Sequence, residues 1–272
     1  MPPIGKIPVA PRFRLERDQL AQSLCQIRFS PVLRISTSPE GVADFQEAIR
    51  DKYPRYDRQQ GVNIVLGPEG ERHETAQEVR HLFRDIEGDH VVTLASDFIA
   101  LGTGRYVGIN DFAERMADLA RCVSEQFHPA EMQRLGFRFT NEFRLGNSEP
   151  KERMREILSS GFLGASGDSA LTEPLVRSNH ELELESESSR MIVRHGLHPD
   201  GGTTTGPPFE PPASANEPFY LLDMDIFTTN SEEFSPEAVG GLLETFNDSL
   251  RSFFAWAVEE KYRTQDLQQK GL

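Results

Sequence analysis

Cysteine is scarce in this 272-residue chain: there are two, Cys25 and Cys122, and they do not form a CxxC pair. That excludes a disulfide framework and a zinc knuckle as organising devices, and two reduced core thiols in a cytoplasmic protein are expected instead. Long apolar runs are also lacking. No stretch approaches the ~18 residues that a membrane span requires, and Met1–Arg14 is proline-rich without the apolar stretch of a signal peptide. Basic residues are outnumbered, with 29 Lys and Arg against 43 Asp and Glu, a formal net charge of −14. A surface of that sign repels phosphate and anionic lipid, which argues against nucleic-acid and membrane partners and favours a basic protein partner.

Nucleotide-binding and hydrolase signatures are missing too. Leu101-Gly102-Thr103-Gly104-Arg105 is glycine-rich but lacks the spacing of a phosphate or dinucleotide loop. Gly167-Asp168-Ser169-Ala170 lies in a Gly/Ser-rich loop and not on a strand-to-helix elbow. His180, His195 and His198 are too loosely spaced for a zinc set. No catalytic residues, no metal and no cofactor are assigned.

What is present is alternation. Residues 22–35 place Cys25, Ile27 and Phe29 on one face, as a strand does. Ser38-Pro39-Glu40 opens a helix with Val42, Phe45 and Ile49 at helical spacing, ended by Pro54. Residues 79–86 and 90–101 read as a hairpin around Glu87-Gly88-Asp89. Asn110 caps a helix whose apolar face is Phe112, Met116, Leu119, Ala120, Val123 and Phe127, stopped at His128-Pro129. Residues 133–145 alternate between Leu135, Phe137, Phe139, Phe143 and Leu145 on one side and Arg134, Arg138, Thr140, Glu142 and Arg144 on the other. A short helix near 150–159, two strands within 175–197 and one at 219–228 follow. Ser235-Pro236-Glu237 then starts a helix with a stripe of Val239, Leu242, Leu243, Phe246, Leu250, Phe253, Phe254 and Ala257, Trp256 lying off its centre.

The order β-α-β-β-α-β, then α-β-β-β-α, predicts an α+β fold with largely antiparallel sheet covered by helices and a long C-terminal helix across the sheet. Residues 1–14 are expected to be an arm, 15–146 and 147–272 two α+β halves or one continuous domain, and 199–218, rich in Gly, Pro, Thr and Ser, a mobile loop between strands. A homo-oligomer is compatible with this pattern.

Acidic strand faces carry the one site expectation. The two-residue period puts Glu181, Glu183, Glu185 and Glu187 on one side of a strand, and Asp223 and Asp225 on one side of another. Three readings stand. The acids pair across strands with Arg28, Arg138 and Arg144 on a solvated face. Or Arg28, Arg138, Asn141, Glu183, Asp223 and Asp225 form a ligand-binding polar face. Or Asp223, Asp225 and Glu183, with carboxylates about 7 Å apart along a strand, hold a divalent cation for chemistry on phosphate esters, with Arg138 contacting phosphate.

Leu24–Pro31, Asp97–Leu101, Arg134–Asn141 and Asp223–Phe227 occur in that order before a Phe-rich C-terminal helix, Leu243–Tyr262. This set resembles a sporadically distributed family of uncharacterised bacterial proteins of about this length, although Gln22-Ser23 stand where that family usually carries a glutamate. The resemblance implies an accessory gene, in mobile or defence-related contexts, and no established activity. A non-enzymatic module that recognises or neutralises a basic protein is the leading expectation.

Overall fold

The structure, a computed structural model, describes residues 7–17, 19–37, 39–66, 72–204, 209 and 214–271. The chain runs β1 (Phe13–Arg14), β2 (Leu20–Phe29), α1 (Leu33–Thr37), a 3-10 turn at Pro39–Val42, α2 (Ala43–Ile49), β3 (Arg55–Leu66), β4 (Arg72–Arg84), β5 (His90–Ala95), β6 (Phe98–Thr103) and α3 (Ile109–Phe127). It continues through β7 (Glu131–Arg144), α4 (Pro150–Ile157), α5 (Ser160–Leu163), a 3-10 turn at Gly164–Gly167, α6 (Ser169–Thr172), β8 (His180–Glu185), β9 (Ser189–His198) and β10 (Phe219–Thr228). The last elements are β11 (Glu232–Glu233), α7 (Pro236–Ala257), α8 (Glu260–Gln265) and β12 (Lys270–Gly271). The class is α+β with largely antiparallel pairing, as expected. Among the described residues, no helix is long and apolar enough to cross a membrane.

The chain divides into two compact units, one of residues 24–136 and 230–241, the other of the described parts of 1–23, 137–229 and 242–272. In the first unit the strands are ordered β3-β4-β5-β6-β2. Every residue of β6 is buried, and Cys25, Ile27 and Phe29 of β2 are fully buried on the face their alternation indicates. Phe45 of α2 meets Phe83 of β4 at 5.6 Å and Phe127 of α3 at 5.9 Å between ring centroids, tying both helices to the sheet. The imidazole of His81 is buried here, bridging the Ile35 carbonyl (2.8 Å) and the Tyr56 hydroxyl (3.0 Å).

Several expectations about this unit are corrected. The strand expected over 22–35 ends at Phe29, and Leu33–Thr37 is helical beyond Pro31 with Ile35 buried. The strand expected over 90–101 is two strands, β5 and β6, with register Ala95↔Phe98. Ser96 and Asp97 turn between them, and their carbonyls accept from Val32 N–H and Phe29 N–H. The α3 helix begins at Ile109 on Gly108, so Asn110 lies inside the first turn and does not cap it. Its end is as expected: His128 turns left-handed before Pro129. Strand β3 was not anticipated, because its Arg55-Tyr56-Asp57-Arg58-Gln59-Gln60 opening shows no apolar alternation; backbone pairing with β4 creates it. The helix-opening Ser38 lies outside the described residues.

In the second unit the strands are ordered β7-β10-β9-β8, the last two pairs antiparallel. Leu243, Phe246, Leu250 and Ala257 of α7 are fully buried, and Phe254 packs on Phe143 of β7 at 6.2 Å. The described part of the expected arm is held: β1 pairs with β12, Phe13 meets Phe254 at 6.5 Å, and Ala10 N–H donates to Ser252 Oγ at 3.1 Å. Gly196 in β9 has a steric reason. A Cβ there would sit 2.0 Å from the Ser178 carbonyl oxygen.

Candidate functional site

The second unit's sheet has two chemically different faces, and the two-residue period assigns each side chain. On β10, Tyr220, Leu222, Met224 and Ile226 point to the buried side, while Asp223 and Asp225 belong to the other. On β9, Met191, Val193, His195 and Leu197 are buried and Arg190 and Arg194 lie opposite. On β8, Glu181, Glu183 and Glu185 share a face.

The register places these charges in rows. Asp223 pairs with Arg194, which pairs with Glu181. Arg138 of β7 clamps Asp223 from the other side with two parallel bonds, Nε to Oδ1 at 2.6 Å and Nη2 to Oδ2 at 2.8 Å. Thr140 Oγ1 donates to the same carboxylate at 3.3 Å, and Arg194 Nη1 stands 3.9 Å away. Arg194 Nε donates to Glu181 at 2.7 Å. One row therefore reads Arg138, Asp223, Arg194, Glu181 across four strands, alternating in sign. In the next rows Arg190 bonds to Glu183 at 2.8 Å and Glu185 at 2.9 Å.

Burial grades this network. The Asp223 side chain is 2% exposed and that of Arg138 42%. The hydrogen bonds that Arg138 donates to Asp223, against a smaller desolvation effect, raise the Arg138 pKa above its ordinary value, and the charges of Asp223 and Asp225 add to that. Arg190 is likewise raised, first by its bond to Glu185. The glutamates of β8 remain largely in solvent.

The expected site residues are thus only partly brought together. Arg138, Asp223 and Asp225 are neighbours, and Glu183 lies on the same face through Arg190. Asn141 shares the face of Phe139 and Phe143, opposite that of Arg138, and its amide donates to the Leu222 carbonyl at 3.2 Å. Arg28 lies in the first unit and pairs with Asp97. Arg144, expected to pair with the strand acids, instead bonds to Glu142 and to the carbonyls of Gly202 (2.8 Å) and Glu217 (3.4 Å).

That last group pins both ends of the 199–218 segment. The buried Glu142 carboxylate accepts from Thr203 Oγ1 (2.9 Å), Thr204 N–H (2.6 Å) and Thr204 Oγ1 (2.8 Å), and Arg144 lies 4.6 Å over the Phe219 ring. The middle of the segment, 205–208 and 210–213, lies outside the described residues. Arg190, Arg194 and Glu142 are the members the sequence reading missed. The alternation in Ser189-Arg190-Met191-Ile192-Val193-Arg194 carried the signal for the first two.

On the buried side, the His195 ring centroid is 4.0 Å from that of Phe162 and 4.8 Å from that of His180, and its Nδ1 is bonded to the Tyr220 hydroxyl at 2.7 Å. Burial, and then the neighbouring His180, push its pKa down to about 4. Ser166 Oγ and His180 Nε2 share a 2.9 Å bond. Among the described residues no carboxylate bonds to either imidazole, so the pair lacks the orienting acid of a hydrolytic triad. Nor does any group of three His, Cys, Asp or Glu among the described residues stand ready to hold a metal ion. Compared with family models and with curated proteins, the chain matches none.

Proposed function

We propose that the chain is a non-enzymatic, cytoplasmic binding module whose charged sheet face and acidic β8 strand recognise a basic protein. The observation that carries this reading is the distribution of charge across that face. Its inner acid, Asp223, is held by Arg138, Thr140 and Arg194 in a buried position, while its outer column, Glu181, Glu183 and Glu185, stays largely in solvent on the last strand even as it bonds to Arg190 and Arg194. Five acids on these rows stand against three arginines, and the whole chain carries −14. Such a surface steers a basic partner at long range and sets its orientation at short range. The alternative, metal-assisted chemistry on phosphate esters, needs the Asp223 carboxylate, which is 2% exposed and already takes both of Arg138's parallel bonds. The resemblance to a sporadically distributed bacterial family supports an accessory role, with neutralisation of a basic toxin or nuclease as the specific form.

The test is affinity capture from the native host, comparing the natural chain with Glu181→Lys/Glu183→Lys/Glu185→Lys. We expect a basic protein, with products of adjacent genes the first candidates, to be retained by the natural chain and lost with charge reversal or raised salt. Recovery of the same proteins by both chains would overturn the proposal.

A further inference from the structure

We infer that the outer edge of β8 is a strand-addition site for an extended segment of a partner protein that carries lysine or arginine at every second residue. The inference rests on the preceding reading of the charged face as a protein-binding surface and specifies how that surface is used.

Strand β8 ends the strand order of its sheet, and among the described residues no other strand pairs with its outer side. An antiparallel edge strand directs the N–H and C=O of alternate residues outward, a template for an added strand. Four of the six β8 residues, Glu181, Leu182, Glu183 and Glu185, are exposed, so the edge is accessible.

The side chains specify what is added. Sign alternates strand by strand along the row Arg138, Asp223, Arg194, Glu181. Opposite charges on neighbouring strands stabilise one another and like charges repel, so the next column outward favours cations. Because Glu181, Glu183 and Glu185 recur with a period of two, the incoming cations recur with the same period. On the other face of β8, Leu182 is 37% exposed, on the side of the sheet that carries Phe162 and the 42%-exposed Trp256. Apolar residues between the cations suit that side. A second copy of this chain does not: pairing two β8 edges with leucine beside leucine places glutamate against glutamate. Main-chain bonds would supply affinity, and the alternating side chains register and specificity.

The test uses a short fluorescent peptide alternating lysine and valine, measured by anisotropy against the full chain. Strand addition predicts that Glu181→Gln/Glu183→Gln/Glu185→Gln weakens binding by about tenfold or more. Of two analogues N-methylated at alternate amides, one should lose about tenfold or more while the other retains binding, because only one set of amides faces β8. A peptide of the same composition with its lysines and valines in separate blocks should bind more weakly. Equal binding by both methylated analogues, or by the block peptide, would mean attraction of charge alone and overturn the inference, as would no binding at all. Self-association of the chain that competes with the peptide would identify a second copy as the occupant and overturn it equally. If the charge-reversed chain loses its cellular partner while the peptide fails, strand addition falls and the broader reading stands; if neither responds, both fall.

Discussion

The bond between Arg138 and Asp223 is symmetrical in geometry and unsymmetrical in environment, and the two ends should respond differently to mutation. Replacing Arg138 with Met leaves the Asp223 carboxylate, 2% exposed, with Thr140 at 3.3 Å and Arg194 at 3.9 Å as its partners among the described residues. Breaking a buried pair by removing one partner costs about 3–5 kcal/mol; the residual partners place this case near the lower end, about 3 kcal/mol. Replacing Asp223 with Asn leaves a guanidinium whose side chain is 42% exposed and can rehydrate. The loss there is about 1 kcal/mol, the scale of one net hydrogen bond. The double variant Arg138→Met/Asp223→Leu removes both charges and should lie within about 1 kcal/mol of the natural chain. Equilibrium urea unfolding, followed by both Trp256 fluorescence and circular dichroism, measures all three. An Asp223→Asn cost equal to or above that of Arg138→Met would refute the burial reasoning. Additive losses in the double variant would show that the two residues do not act as a pair.

Acid should destabilise the chain through His195, whose folded pKa is pushed down to about 4 by burial and by His180. The unfolded imidazole takes up its proton near ~6.5, so stability is retained above that pH and lost as pH falls toward 4, by up to about 3 kcal/mol. His195→Asn should lack this share of the acid slope in urea titrations at stepped pH; identical slopes would contradict it. Phe246 of α7 is fully buried, and Phe246→Ala should cost about 3–5 kcal/mol in the same unfolding assay. A loss below about 1 kcal/mol would mean that the helix is not a principal element of that unit's core.

Local periodicity by itself determined the α+β class, the buried face of Cys25, Ile27 and Phe29, and the apolar stripe of α7. These follow from repeats of 2 and 3.6 residues, which a chain carries without reference to any distant segment. It also placed Asp223 with Asp225 and Glu181 with Glu183 on shared strand faces. Which cation meets which acid was decided by tertiary structure alone, because it depends on strand order and register between segments far apart in the chain. Thus Asp223 meets Arg138 and Arg194, the β8 glutamates meet Arg190 and Arg194, and Arg28 meets Asp97. Polar composition suggested a solvated face over 133–145, yet Thr140 and Glu142 are buried there, because Asp223 and the ends of the 199–218 segment supply their partners. The polar opening of β3 shows the same limit: its pairing with β4 is made by backbone groups, which every residue carries and no composition reveals.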